Sequence, residues 1–369
     1  MFPSPFAAAV RAWCAHEGLK LFFVPASPAW LAICTLLVGA AAAQPSAETL
    51  ALALLVRLAD MVARMPVIWD SWYWCLQIDG GLLVLLLRYL IVGSGKSAKP
   101  EWWADAQKAA RTDCESMASW WATTARLQLA CFYLAAGFWK INTSFLDPRT
   151  SCAPIFTLTL LPAVGLAPPP SLAPLVARAS PLMTIVGEMA IGVLLLLPSR
   201  TLVRAGTLLA LVLHLGIALT PSPNNATPFS LACAVRLVIT QSRGAALALD
   251  ELATLQPSGL LTAAVTTSAA AASMALAYRS AEHHPPPGGA VYDWWIGFYV
   301  LFAGLGARAL LLDRTPAAPP TPPPTPVARA ALRPALVLLA LVYALLPMLG
   351  WDLGSCNMCA LRAPGGATA

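Results

Sequence analysis

The residues of this sequence that could do chemistry are ionisable side chains set inside apolar runs. A charge at membrane depth is costly and faces a bundle interior or a watery cavity. Asp79, Arg88, Arg126, Lys140, Glu188, Arg204, His214, Arg236 and Arg308 are all placed this way. Glu188 lies near the middle of the run from Pro181 to Pro198. A buried glutamate is either neutral or paired with a cation. His214 lies deep in the run that starts at Leu208. A membrane histidine can carry a proton, bind a ligand or simply satisfy a hydrogen bond. For both residues a packing role stays open beside the chemical one. Lys140 closes the run from Cys131 to Trp139. It reads either as a topogenic lysine beside an aromatic belt or as an amine held away from water and able to act as a base. Arg204 and Arg308 are near enough to run ends to snorkel. Arg88 and Arg236 sit deeper. Asp79, followed by Gly80 and Gly81, reads as a carboxylate at a helix start.

Metal chemistry has little support. His283-His284 is a lone pair before Pro285, and Cys356-Asn357-Met358-Cys359 is a single C-x-x-C. A structural zinc site needs four converging ligands, and no second C-x-x-C or helical H-x-x-x-H accompanies either motif. Nine cysteines are too few for a disulfide framework in so long a chain, and an odd number leaves at least one unpaired within it. Cys152 could pair with a cysteine of the tail if both face the lumen. There is no Walker loop, no GxGxxG after a strand and no GxSxG elbow.

The elements that must position these residues follow from composition. The chain has 369 residues, of which 58% are hydrophobic and 11% charged. A soluble domain averages about 25% charged residues, so this chain lacks the material for a charged surface. A membrane helix needs about 20 mostly apolar residues. The pattern predicts an all-α polytopic bundle of about 8–10 membrane helices within residues 1–350, followed by a short tail. Ten spans are expected, at 22–43, 50–66, 77–93, 119–139, 181–198, 202–220, 227–242, 259–278, 291–312 and 331–350. The second carries Arg57, Asp60 and Arg64 and is expected partly in the interface. Residues 40–43 would suit signal peptidase. The apolar stretch nevertheless starts about 20 residues in with no basic cluster directly before it, which favours a retained helix.

Residues 142–180 are apolar but proline-rich and read as a re-entrant or interfacial loop. The seven prolines between 313 and 327, among them Pro319, Pro320, Pro322, Pro323, Pro324 and Pro326, read as a polyproline connector. No internal repeat supports an inverted-repeat transporter. The net charge is +6, with the basic residues scattered, so no nucleic-acid surface is expected. Lys and Arg concentrate in the third, fifth and ninth connections, which makes that side cytoplasmic. The uncharged connection 221–228 then faces the opposite side. It carries the sequon Asn225-Ala226-Thr227, and Asn142-Thr143-Ser144 lies on the same side. Both termini are expected to be lumenal or extracellular.

The segment from Phe132 to Leu146, FYLAAGFWKINTSFL, resembles a signature of the HTTM superfamily, the membrane domain shared with vitamin K-dependent gamma-carboxylase. Its members carry a tyrosine, a small-residue pair with glycine, a lysine, an aliphatic residue, Asn or Asp, and then an aromatic. Glu188-Met189-Ala190-Ile191-Gly192 is similar to the family's acid-led helix, and Leu213-His214-Leu215 to its histidine-bearing helix. The opening residues 22–28 and the tail residues 357–366 also look like family segments. The resemblance implies a helical membrane domain in the endoplasmic reticulum or another endomembrane. It also implies an apolar, quinone-type ligand such as vitamin K hydroquinone. Lys140 would be the base that deprotonates the quinol. His214 and Glu188 would orient it or relay protons, and Tyr133, Trp139, Asn142 and Arg126 would line the ligand. The carboxylase continues into a lumenal β-rich region that is lacking here, so glutamate carboxylation is not part of the expectation.

Three functional classes follow. The first is a quinol-dependent enzyme acting within the membrane. The second is a non-catalytic membrane binding or scaffold protein with the same fold. The third is a transporter, which would need a polar path lined by Arg88, Arg126, Arg236 and Glu188.

Overall fold

The computed structural model describes residues 4–23, 27–63, 70–94, 103–220, 227–254, 257–283, 291–313 and 338. The described elements are all helical. They are α1 (Pro5–Phe23), α2 (Pro28–Ala43), α3 (Ala47–Ala63), α4 (Asp70–Ser94) and α5 (Trp103–Trp139), then α6 (Thr143–Leu146), α7 (Ala153–Ala163), α8 (Ala173–Leu196) and α9 (Arg200–Leu219). The last four are α10 (Thr227–Thr240), α11 (Ser242–Ala253), α12 (Pro257–His283) and α13 (Val291–Leu312). The protein is an all-α helical bundle. All but the last of the ten expected spans fall on one of these helices. The run 331–350, the proline connector, the sequon at Asn225 and the C-x-x-C tail lie outside the described residues.

Local chemistry sets the helix ends. The Ser27 hydroxyl accepts from the Trp30 amide, with Pro28 in the first turn of α2, satisfying a donor that the helix itself cannot. Asn142 does the same for α6, accepting from the Phe145 amide at 2.8 Å. Gly165 follows α7 with φ of 77°, a left-handed conformation that costs glycine little. The segment 142–180, expected as an irregular loop, therefore contains α6, α7 and the start of α8. Residues 103–116, polar in sequence, likewise belong to α5, which runs unbroken for 37 residues.

Among the described residues four helices are long and apolar enough to cross a membrane: Ala173–Leu196, Arg200–Leu219, Pro257–Leu276 and Trp294–Leu312. On α8 the exposed large apolar side chains are Leu175, Leu182, Met183, Val186, Val193 and Leu196, while Ser180, Glu188 and Gly192 are buried. Apolar side chains outside and polar ones inside suit a lipid solvent; Arg178, in the first two turns of α8, is exposed as well. Helices α2, α7 and α10 are apolar but shorter.

The chain divides into two compact units. The first comprises residues 1–128, 231–267 and 301–338; the second comprises 129–230, 268–300 and 339–369. In the first unit α1 packs on α2 and α11, α2 on α3, and α3 on α4. In the second unit α7, α8 and α9 pack on one another, and α6 packs on α8. The division falls within α5, between Gln128 and Leu129.

Candidate functional site

In the second unit α5 and α8 come close because two glycines leave room. A side chain at Gly192 would meet the Leu134 side chain, with Cγ at 2.6 Å and the backbone nitrogen at 3.0 Å. One at Gly137 would meet the Met189 Cγ at 2.8 Å. Small residues of this kind let membrane helices approach closely. The approach brings Lys140, one residue past the end of α5, onto Glu188 in α8. The Lys140 ammonium donates to Oε1 at 2.9 Å and to Oε2 at 2.7 Å. Its Nζ also lies 5.9 Å from the centre of the Phe145 ring. The lysine side chain is 22% exposed and the glutamate 11%, so the pair is sheltered but reachable.

Seven residues before Lys140, which is about 10 Å of helix rise, Tyr133 turns to α9. Its hydroxyl lies 2.6 Å from His214 Nε2. The other ring nitrogen, Nδ1, is 3.4 Å from the Ser230 hydroxyl. With the proton on Nδ1, the ring donates to Ser230 and accepts from Tyr133, so one tautomer serves both contacts. Phe229 stands edge-on to the imidazole, with centroids 5.4 Å apart, and Phe132 packs on both Phe229 and Tyr133. The Tyr299 hydroxyl donates to the Leu211 carbonyl one turn earlier on α9. His214 is 1% exposed. Both nitrogens are engaged and the ring is sealed by aromatics, so His214 holds Tyr133 in place.

The remaining expected ligand contacts are dispersed. Asn142 is exposed, and its side chain bridges the Trp139 carbonyl at 2.7 Å and the Phe145 amide. That makes it the hinge of the α5–α6 turn. Trp139 and Arg126 are each half-buried, and Arg126 belongs to the first unit. The second unit thus pairs Lys140 with Glu188 and Tyr133 with His214.

The first unit holds a charge network that the sequence reading did not assemble. Glu17 accepts from Lys20 Nζ at 2.6 Å and from Arg57 Nε at 3.0 Å. Arg57 also donates to Asp60 at 2.8 Å, and Asp60 accepts from the Trp30 indole at 2.8 Å. Nearby in this unit, Asp79 accepts from the Trp13 indole and from Arg236, each at 2.9 Å. Three acids and three bases cancel, which is the condition for burying charge at all. Asp79 is therefore not a helix-start carboxylate: α4 begins at Asp70, and Asp79 lies inside it, fully buried against Arg236. Arg57 and Asp60 are buried and paired with each other. Arg308 forms a two-toothed pair with Glu251 at 2.7–2.9 Å.

Helix α1, which carries Glu17, lies outside the four apolar spans. Burial pushes the Glu17 carboxyl up, but the Lys20 and Arg57 charges overcome this and hold it well below its usual value. Burial lowers His16 to about 4, so it is a neutral residue 3.4 Å from Glu17.

Cys152, at the start of α7, is disulfide-bonded, whereas Cys14, Cys75 and Cys131 are in no disulfide. Among the described residues no three His, Cys, Asp or Glu side chains gather as a metal site. No family model, curated protein or solved structure matches the chain.

Proposed function

We propose that this is an HTTM-type integral membrane protein whose Lys140–Glu188 pair receives a quinol-type ligand from the bilayer. The observation that carries the reading is the pair itself: a sheltered amine and carboxylate joined at 2.7 Å just past the apolar run that ends α5. In the ion pair the lysine holds a proton and is no base. When that proton rests on Glu188, the neutral Lys140 amine can take a hydroxyl proton from the ligand and leave a quinolate. Glu188 is thus the proton store and Lys140 the base. Tyr133, held by His214, supplies a phenol two helical turns away. The hydroxyls of a quinol, and the carbonyls of the quinone it becomes, match an amine, a carboxylate and a phenol in hydrogen-bonding capacity. A water-poor site protects a reactive quinolate.

The disulfide at Cys152 supports an orientation. Disulfides persist in oxidising compartments, which supports a lumenal or extracellular side for the turn from Lys140 to Cys152. This agrees with the side assigned from loop charge.

The test is quinone binding by purified protein in detergent, with Lys140→Ala and His214→Ala beside the parent chain. Saturable binding weakened by both variants supports the reading. Well-folded protein that binds no quinone removes it, and leaves the pair as a structural clamp in a non-catalytic scaffold.

A further inference from the structure

Helix α5 carries a second set of polar groups, in the first unit, that the Lys140 reading does not use. Trp120, Trp121, Thr124 and Gln128 are all buried, Thr124 and Gln128 to 1% exposure. Among the described residues none of their side-chain polar atoms has a partner: both indole nitrogens, the Thr124 hydroxyl, and both ends of the Gln128 carboxamide. Positions 120, 124 and 128 form one stripe along the helix, and 121 stands beside it at i, i+3 from Thr124. The stripe is about 12 Å long. Thr124 is telling. Helical hydroxyls elsewhere in this protein fold back onto the carbonyl four residues earlier, as do Thr123, Thr207, Thr220 and Thr266. Thr124 leaves that carbonyl unused and keeps its hydroxyl free.

We propose that this stripe is a binding site for an uncharged, lipid-soluble carbonyl compound. Each buried polar atom left unpaired costs about 1–3 kcal/mol, and here five lie within three helical turns. The stripe is donor-rich. The indoles can only donate, the carboxamide nitrogen donates twice and the hydroxyl once. A carbonyl-bearing molecule supplies the acceptors. It is neutral because the stripe has no charge; Arg126 lies about 200° around the helix from Thr124. It is lipid-soluble because the stripe lies in the apolar run 119–139. The two indoles also suit a ligand with an apolar body. Such carbonyls come from two sources, a quinone ring or an acyl ester.

Two probes separate the sources: decylbenzoquinone, which carries only ring carbonyls, and dioctanoylglycerol, which carries only ester carbonyls. Each is titrated into the full-length protein in detergent, with Gln128→Leu and the near-isosteric Thr124→Val as variants. At least one probe binds the parent chain saturably and raises its melting temperature. Both variants weaken that probe at least tenfold. Without ligand, Gln128→Leu melts above the parent chain, because two unpaired atoms have gone. Lys140→Ala leaves binding of the ester probe unchanged. The proposal is overturned if neither probe binds. It is equally overturned if binding is the same in both variants. Quinone binding lost in Lys140→Ala but kept in Gln128→Leu overturns it too, and leaves the Lys140 reading standing.

Discussion

Lys140 grips both carboxylate oxygens of Glu188, at 2.9 and 2.7 Å, and so ties the end of α5 to the buried stripe of α8. The clamp depends on how near the two helices run, and that nearness rests on Gly137 and Gly192. A clamp of this kind serves structure and chemistry alike, and the two roles separate under substitution.

Gly192→Val drives a side chain into Leu134 and its backbone. Overpacking of this sort costs about 1–3 kcal/mol, and the melting temperature in detergent falls accordingly. Gly187, on the same helix, has nothing within 4 Å of a built side chain. Gly187→Ala is therefore neutral, or stabilising by up to about 1 kcal/mol through helix propensity. Equal effects at the two positions would contradict the close approach.

Removing one partner of the clamp strands the other. Lys140→Met or Glu188→Leu alone costs roughly 2–3 kcal/mol, below the range for a fully enclosed pair because both groups retain some exposure. The double variant recovers most of the loss. A melting series over the four proteins measures the coupling, and additive losses would show that the two groups do not depend on each other.

Tyr133→Phe leaves His214 Nε2 buried without a partner, at a cost of about 1–3 kcal/mol. His214→Phe in the same background removes the stranded nitrogen and restores part of the stability. Thermal melting of the single and double variants reads this, and a Tyr133→Phe protein as stable as the parent would place the phenol elsewhere.

Acid destabilises the first unit through two groups on α1. Burial lowers His16 to about 4 from its ordinary 6.5, so the unfolded chain binds the extra proton first. Stability is constant above pH 6.5 and falls between 6.5 and about 4. The Lys20 and Arg57 charges, working against the burial that raises it, hold Glu17 well below its ordinary 4.5, so its contribution is lost below that pH. The groups around His16 are Glu17 and Lys20 on its own helix and Arg236 on α10. His16→Gln flattens the upper part of the acid limb in a melting-temperature profile, and an unchanged profile would refute the assignment.

What the sequence makes legible follows from solvent physics. An ionisable residue inside an apolar run needs a partner, and this singled out Lys140, Glu188, His214 and Arg236 before any geometry was known. Which partner each takes depends on helix crossings that one chain does not encode locally. Asp79 is instructive. The glycines after it looked like a helix start, but α4 begins at Asp70, so the carboxylate is interior and meets Arg236. Helix α1 escaped notice because Arg11, Glu17 and Lys20 interrupt its apolarity. Phe6, Val10 and Trp13, all buried at helical spacing, were the available signal. The unpaired atoms of Thr124 and Gln128 could not be read at all, since hydrogen-bond satisfaction is a property of the assembled bundle.

The central claim is that Lys140 is a base for a quinol. It is tested most directly by dioxygen uptake driven by vitamin K hydroquinone in the purified protein. Lys140→Met serves as the variant and the melting temperature as a check on folding. A rate above the uncatalysed background that falls to background in a folded Lys140→Met protein is the predicted result. No rate in the parent chain, or a rate that survives the substitution, would contradict the account.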